Sequence, residues 1–147
     1  MKILLAFIIL AFSFSTQALE LECRDSNGKI MNGSIEQLRV VMKSNSDRPQ
    51  IKVIGVITRI SPEDNQGLQH QKFSIQASND ISLSIVSNLE FGRIPLVIGK
   101  TITVCGEFKK VGQGMVHWTH FDPRGNHVDG FSILDGELYG DKQTLVK

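Results

Sequence analysis

The residues able to do chemistry crowd into one stretch, 116–130, which reads Val-His-Trp-Thr-His-Phe-Asp-Pro-Arg-Gly-Asn-His-Val-Asp-Gly. It holds three of the four histidines, the only tryptophan and two aspartates. Imidazole is the commonest transition-metal ligand, and carboxylates often complete such sites. Asp122-Pro123-Arg124-Gly125 fits a type I turn, with Asp first, Pro second and Gly fourth. If the chain folds back there, Phe121 faces Asn126, His120 faces His127, Thr119 faces Val128 and Trp118 faces Asp129. Directly opposed residues share a face, with Cβ atoms about 4.5–5.5 Å apart. His120, His127 and Asp122 would then sit together, Asp129 would lie beside Trp118 on the same side, and His117 would point to the other face. Two imidazoles with one or two carboxylates suit a divalent transition metal, zinc first. His70, on the polar face of its own strand, adds a ligand if the fold brings it near. Trp118, Arg124 and Asp129 are the candidate contacts for a bound ligand. Type I turns splay hairpin strands, so a wide loop is the competing geometry. The competing role is a structural polar network, in which Asp122 hydrogen-bonds the backbone of its own turn.

The elements that must position these residues are mainly β. Leu19 to Met31 reads as a small hairpin around Asn27-Gly28. Ser34-Ile-Glu-Gln37 matches a helix capping box, and Ile35, Leu38, Val41 and Met42 recur at helical spacing, predicting a helix over 34–43. Ser44 to Gln50 is a polar linker. From Ile51 the period becomes two. Strands are expected over 51–60, with a bulge or sharp bend at Gly55, and then over 68–77, 81–85, 101–109 and 115–120. The longer segment 88–100, with Gly92, Pro95 and Gly99, is irregular. Three strands, a long connection and two more strands is the order of a small five-stranded OB (oligonucleotide/oligosaccharide-binding) barrel. An SH3-like barrel or an unrelated meander fits strand count alone. The domain organisation expected is a signal peptide at 1–18, the N-terminal hairpin, helix and linker at 19–50, and a barrel with a C-terminal hairpin at 51–140.

Met1-Lys2, the apolar run Ile3 to Phe14 and Thr16-Gln17-Ala18 have the layout of a secretory signal peptide, with cleavage expected after Ala18. The run is shorter than the roughly 20 residues a bilayer-spanning helix needs. The expected destination is periplasmic or secreted. Without Lys2 the cations fall from 16 to 15, matching the 15 Asp+Glu. A dedicated nucleic-acid binder usually carries a basic excess, so no nucleic-acid partner is indicated. A small ligand or a protein partner stays open. Cys23 and Cys105 would enter an oxidising compartment, where a disulfide is permitted. Two independent cysteines are the alternative.

The chain resembles a bacterial family known as domain of unknown function 3465, over about Val53 to Tyr139. The resemblance is carried by Gly67-Leu-Gln-His70-Gln-Lys-Phe73, by Gly106 to Phe108, and above all by His117-Trp-Thr-His120 with Asp122-Pro-Arg-Gly125, His127 and Asp129-Gly130. It implies an OB-like fold and no reaction. The family pattern has a second histidine where this chain has Phe121, an arginine at Asn126, a tryptophan at Phe131, and Asn-Ile-Asp where Asn88-Leu89-Glu90 stands. A site needing an imidazole at position 121 would be incomplete.

Three functions compete. The first is an exported OB-like binding module whose His/Asp cluster takes a divalent metal or a small polar ligand. The second is a metal-dependent hydrolase, a phosphodiesterase or nuclease, with Asp122 or Asp129 as base and Arg124 on a phosphate. Against catalysis, the chain contains no HExxH, GxSxG or P-loop motif. The third is a structural or inhibitory domain that binds another protein.

Overall fold

A computed structural model describes residues 21–64 and 67–142. The expected signal segment and the first two residues of the expected N-terminal hairpin lie outside the described residues. Helix α1 (Ile35–Lys43) precedes strands β1 (Gln50–Ile60), β2 (His70–Ser78), β3 (Ile81–Asn88), β4 (Thr101–Lys109), β5 (Met115–His117), β6 (Phe131–Leu134) and β7 (Glu137–Tyr139). A single 3₁₀ turn, Leu89–Phe91, follows β3.

The strands run in the order β1-β2-β3-β5-β4, and β1 also pairs with β4, closing a five-stranded barrel. The β3–β5 pairing is parallel and the other barrel pairings are antiparallel. That order is OB-like, as the strand spacing predicts. β6 extends the sheet from β4, and β7 pairs with β6 to form the C-terminal hairpin.

β1 serves two partners, pairing with β4 over 50–56 and with β2 over 56–60. The bulge expected at Gly55 instead falls between Ile57 and Arg59. Gly55 has a different task, because a Cβ there would lie 2.9 Å from the Gln76 carbonyl oxygen. Only a missing side chain lets the two backbones approach so closely at the barrel corner.

Alternation puts Ile51, Val53, Ile57, Phe73, Ile75, Leu83, Ile85, Ile102, Val104 and Val116 inside the barrel. Leu38 of α1 joins this core, with Ile35, Val41 and Met42 packed beside it. Burying Leu38 contributes about 2 kcal/mol. Ser34 caps the helix, its Oγ accepting from the Gln37 N–H at 3.1 Å. The Gln37 side chain reaches past the cap to the Asn32 N–H at 3.0 Å.

β4 departs from simple alternation. Cys105 and Glu107, which alternate with Val104 and Phe108 along the strand, are both buried. β6 and the N-terminal segment cover that face, forming a second core of Cys23, Met31, Cys105 and Phe131. Cys23 and Cys105 are joined in a disulfide with Cα atoms 5.6 Å apart. Among the described residues no helix is long and apolar enough to cross a membrane.

Candidate functional site

The last barrel strand ends at His117, three residues short of the expected His120. Trp118 takes a left-handed φ of 52°, which breaks the extended conformation that a ladder requires. Residues 118–130 form a wide loop, although the turn at Asp122 does form, with the Gly125 N–H donating to the Asp122 carbonyl at 3.3 Å. The hairpin pairing expected for this stretch is not made. Gly130 N–H donates to the His120 carbonyl at 2.9 Å, and Phe121 N–H to the Gly140 carbonyl at 2.6 Å.

Glycines clasp this segment. A Cβ on Gly106 would meet the His117 carbonyl oxygen at 2.6 Å, and one on Gly140 would meet the Thr119 carbonyl oxygen at 2.5 Å. One on Gly130 would overlap the Trp118 carbonyl oxygen. Backbone therefore packs directly on backbone around 117–120, which holds an irregular segment still without a sheet. In the sequence Gly106 is a glycine inside a strand and Gly140 one just after a strand, and neither position by itself signals this role.

The two histidines expected to meet do come together. Their ring centres are 5.0 Å apart and the planes cross at 87°. His120 stacks on Phe91 at 3.8 Å, and His127 stacks on Trp118 at 4.4 Å. Each Nδ1 lies against a backbone carbonyl, that of Phe121 for His120 at 2.7 Å and that of Val128 for His127 at 2.8 Å. A carbonyl only accepts, so each ring carries a proton on Nδ1, which in the neutral imidazole leaves the lone pair on Nε2. Neither Nε2 has a hydrogen-bond partner among the described residues; His127 Nε2 lies 3.8 Å from Asp122 Oδ2. Burial pushes the His120 imidazole below its usual value, only partly offset by the Phe121 carbonyl, so the ring stays neutral.

The aspartates are engaged elsewhere. Asp122 Oδ1 accepts from the Arg124 N–H at 2.8 Å, and Oδ2 accepts from the His127 N–H at 2.8 Å and from the Asn126 N–H. Burial raises the Asp122 carboxyl, but these backbone donors outweigh it and hold it below the ordinary carboxylate range. Asp129 caps the Asp122 N–H through Oδ1 at 2.9 Å. His70 stands apart at the start of β2, with Nδ1 3.6 Å from Asp64 Oδ2, where Lys72 also binds.

Between the two stacked pairs lies a cleft of about 280 Å³, edged by Leu68, Asn88, Glu90, Arg124 and Asn126. Phe91, which braces His120, and Glu90 escaped the sequence reading because they come from the irregular segment after β3. Trp118 carries a further cost, since its indole N–H is buried without a partner. An unpaired buried donor costs about 1–3 kcal/mol. Phe121, the position where an imidazole is missing, does not line the cleft. Its ring borders a separate cavity of about 490 Å³ with Phe131 and Leu138, with Lys142 Nζ 4.5 Å above it. The missing imidazole is therefore no loss to the cleft.

His117 belongs to a neighbouring buried network. Its Nε2 donates to Glu107 Oε1 at 2.8 Å, and Arg48 Nε donates to the same oxygen at 2.9 Å. Burial depresses the His117 imidazole more than Glu107 raises it. Burial also raises the Glu107 carboxyl, but Arg48 and His117 together hold it below its ordinary value. The pair is carboxylate with neutral imidazole, and it ties β4, β5 and the entry to β1.

The family described as "Protein of unknown function (DUF3465)" matches residues 25–140, extending the resemblance back through the helix to Asp25. No curated protein matches the chain.

Proposed function

The chain belongs to the DUF3465 family, whose description assigns no function, and from its residues we propose an exported binding module whose ligand site is the cleft between Phe91–His120 and Trp118–His127. One observation carries the reading: two imidazoles, each held at Nδ1 by a neighbouring backbone carbonyl, present Nε2 atoms that no group among the described residues uses. Two preset acceptors call for a Lewis acid, either an N–H or O–H donor or a metal ion. A volume of about 280 Å³ sits at the small end of ligand sites, which favours a small ligand over a polymer. The matched charge count of the chain without Lys2 points the same way.

Export is supported by the signal-like residues 1–18 and by the Cys23–Cys105 disulfide, since disulfides persist in oxidising compartments. The destination is the periplasm or the exterior. Binding is preferred to hydrolysis because Asp122 and Asp129, the candidate bases, are already accepting backbone N–H groups.

Thermal melting of tag-free protein against small polyols, primary amines, guanidinium compounds and divalent transition-metal salts tests the reading. A ligand at 100 times its Kd stabilises by about 2.7 kcal/mol, or about 10 °C for a chain of this size. At least one class should raise the wild-type midpoint and leave His120→Ala and His127→Ala unmoved. If no class does so, or both variants respond as the wild type does, the cleft is not the ligand site.

A further inference from the structure

We infer that the Lewis acid this cleft takes is one first-row divalent transition-metal ion, copper(II) ahead of nickel(II) and zinc(II), held by His120 Nε2 and His127 Nε2 with its other positions open. The inference rests on the cleft being a ligand site and names the ligand class. Metal-ligating histidines almost always donate their second ring N–H to a carbonyl or carboxylate, which fixes ring orientation and tautomer. Both rings here have that arrangement, at 2.7 and 2.8 Å. The spacing also fits. An ion about 2 Å from each Nε2 lies about 3.2 Å from each ring centre. With both Nε2 atoms turned toward that ion, ring centres 5.0 Å apart would correspond to an angle of about 105° there, which suits four-coordinate geometry.

The identity of the ion follows from the two ligands inferred, both of them imidazole nitrogens. Among the described residues no group of three His, Cys, Asp or Glu is placed to hold a metal, so no third protein ligand is assigned. Calcium and magnesium want oxygen ligands and are disfavoured. For imidazole nitrogen, affinity rises along the divalent series to copper and falls at zinc. Two protein ligands leave positions for water or an exchanging ligand, unlike the closed sets of structural zinc. The charged groups facing the pair are Asp122, 3.8 Å from His127 Nε2, with Glu90 and Arg124 at the cleft edge. The stacks on Phe91 and Trp118 keep the rings from swinging apart.

Trp118 makes the test direct, because it is the only tryptophan and its ring is 4.4 Å from that of His127. Chelator-treated, tag-free protein would be titrated with copper(II), nickel(II) and zinc(II) salts, following tryptophan emission and bound metal by atomic absorption. One copper per chain should bind with strong quenching, nickel should quench more weakly, and zinc, which has a filled d shell, should bind with little quenching. His120→Ala and His127→Ala should each weaken copper at least about tenfold, while His70→Ala should not. Melting and far-ultraviolet circular dichroism would confirm that each variant is folded. Should one unfold, nitrogen hyperfine splitting from two imidazoles in the wild-type copper resonance spectrum is the deciding readout. Less than one copper per chain, affinity indifferent to both alanine variants, or a spectrum without two nitrogens overturns the inference. If an amine or polyol protects the wild type through His127 while copper does not bind, the metal inference alone falls; if nothing binds, the ligand-site reading falls with it.

Discussion

Replacing Gly130 with alanine should do more damage than any exposed change in the loop, and the size of the effect can be worked out from its surroundings. The added Cβ would overlap the Trp118 carbonyl oxygen and lie 2.6 Å from the Cys105 carbonyl oxygen and 2.9 Å from Thr119 Cα. All three are backbone atoms, so no rotamer change relieves the clash. The segment must move by about 1 Å, at an overpacking cost of about 1–3 kcal/mol. That movement also strains the Gly130–His120 hydrogen bond of 2.9 Å, and orphaning those groups costs about 1–3 kcal/mol. The sum is about 4 kcal/mol. At about 4 °C per kcal/mol for this chain length, the melting midpoint should fall about 15 °C. Gly125→Ala is the control: its Cβ meets nothing within 4 Å, and only the φ of +67° resists. That strain costs about 1–2 kcal/mol. Thermal and urea melts followed by circular dichroism would measure both. If Gly130→Ala costs no more than Gly125→Ala, close backbone packing does not hold the site loop, and the account of its rigidity is wrong.

Breaking the disulfide by Cys23→Ala with Cys105→Ala opens a loop spanning 82 residues, worth about 4.5 kcal/mol by loop-closure entropy; an unchanged urea midpoint would contradict this. Acid should destabilise the fold in two stages. His117 is depressed by burial, so its contribution is complete above its unfolded value of 6.5 and is lost as pH falls through its lower folded value. Glu107 is held down by Arg48 and His117 against burial, so its contribution is complete above 4.5 and is lost below that as its folded value is passed. Melting midpoints between pH 3 and 8 should show both, and Glu107→Gln should flatten the lower stage. Asp122→Asn supplies one acceptor oxygen where two now serve backbone N–H groups, so hydrogen exchange at Asn126 and His127 should quicken while copper still binds. Copper lost with exchange unchanged would instead make Asp122 a ligand. Phe121→His should leave copper affinity as it is, because that side chain borders the other cavity; a tightened site would show that the loop rearranges.

Much of the molecule is local physics and could be read from the sequence. Alternation over 51–60, 81–85 and 101–109 encodes strands because a barrel strand needs one apolar face. Ser34 and Gln37 mark a helix start because orphan N–H groups need acceptors. Asp122-Pro-Arg-Gly125 encodes its turn whatever surrounds it. The meeting of His120 and His127 was anticipated, but through a hairpin register that does not form. They meet because the loop is broad and each ring is propped by an aromatic ring, Phe91 or Trp118.

What only the tertiary structure decided concerns contacts between distant segments. That Cys105 and Glu107 are buried depends on β6 and the N-terminal segment covering β4, and no period within β4 reveals a second covered face. That strand β5 stops at His117 depends on Trp118 adopting a left-handed φ, a state that its own residue type disfavours. The surroundings impose it: Gly106, Gly130 and Gly140, from three separate parts of the chain, let backbone close around residues 117–120. The division of labour within the cluster follows from the same cause. Composition alone put histidines and aspartates in one stretch. Folding assigned the aspartates to backbone N–H groups and left the two imidazole Nε2 atoms without a partner among the described residues, because hydrogen-bond supply and demand is settled only when the loop closes.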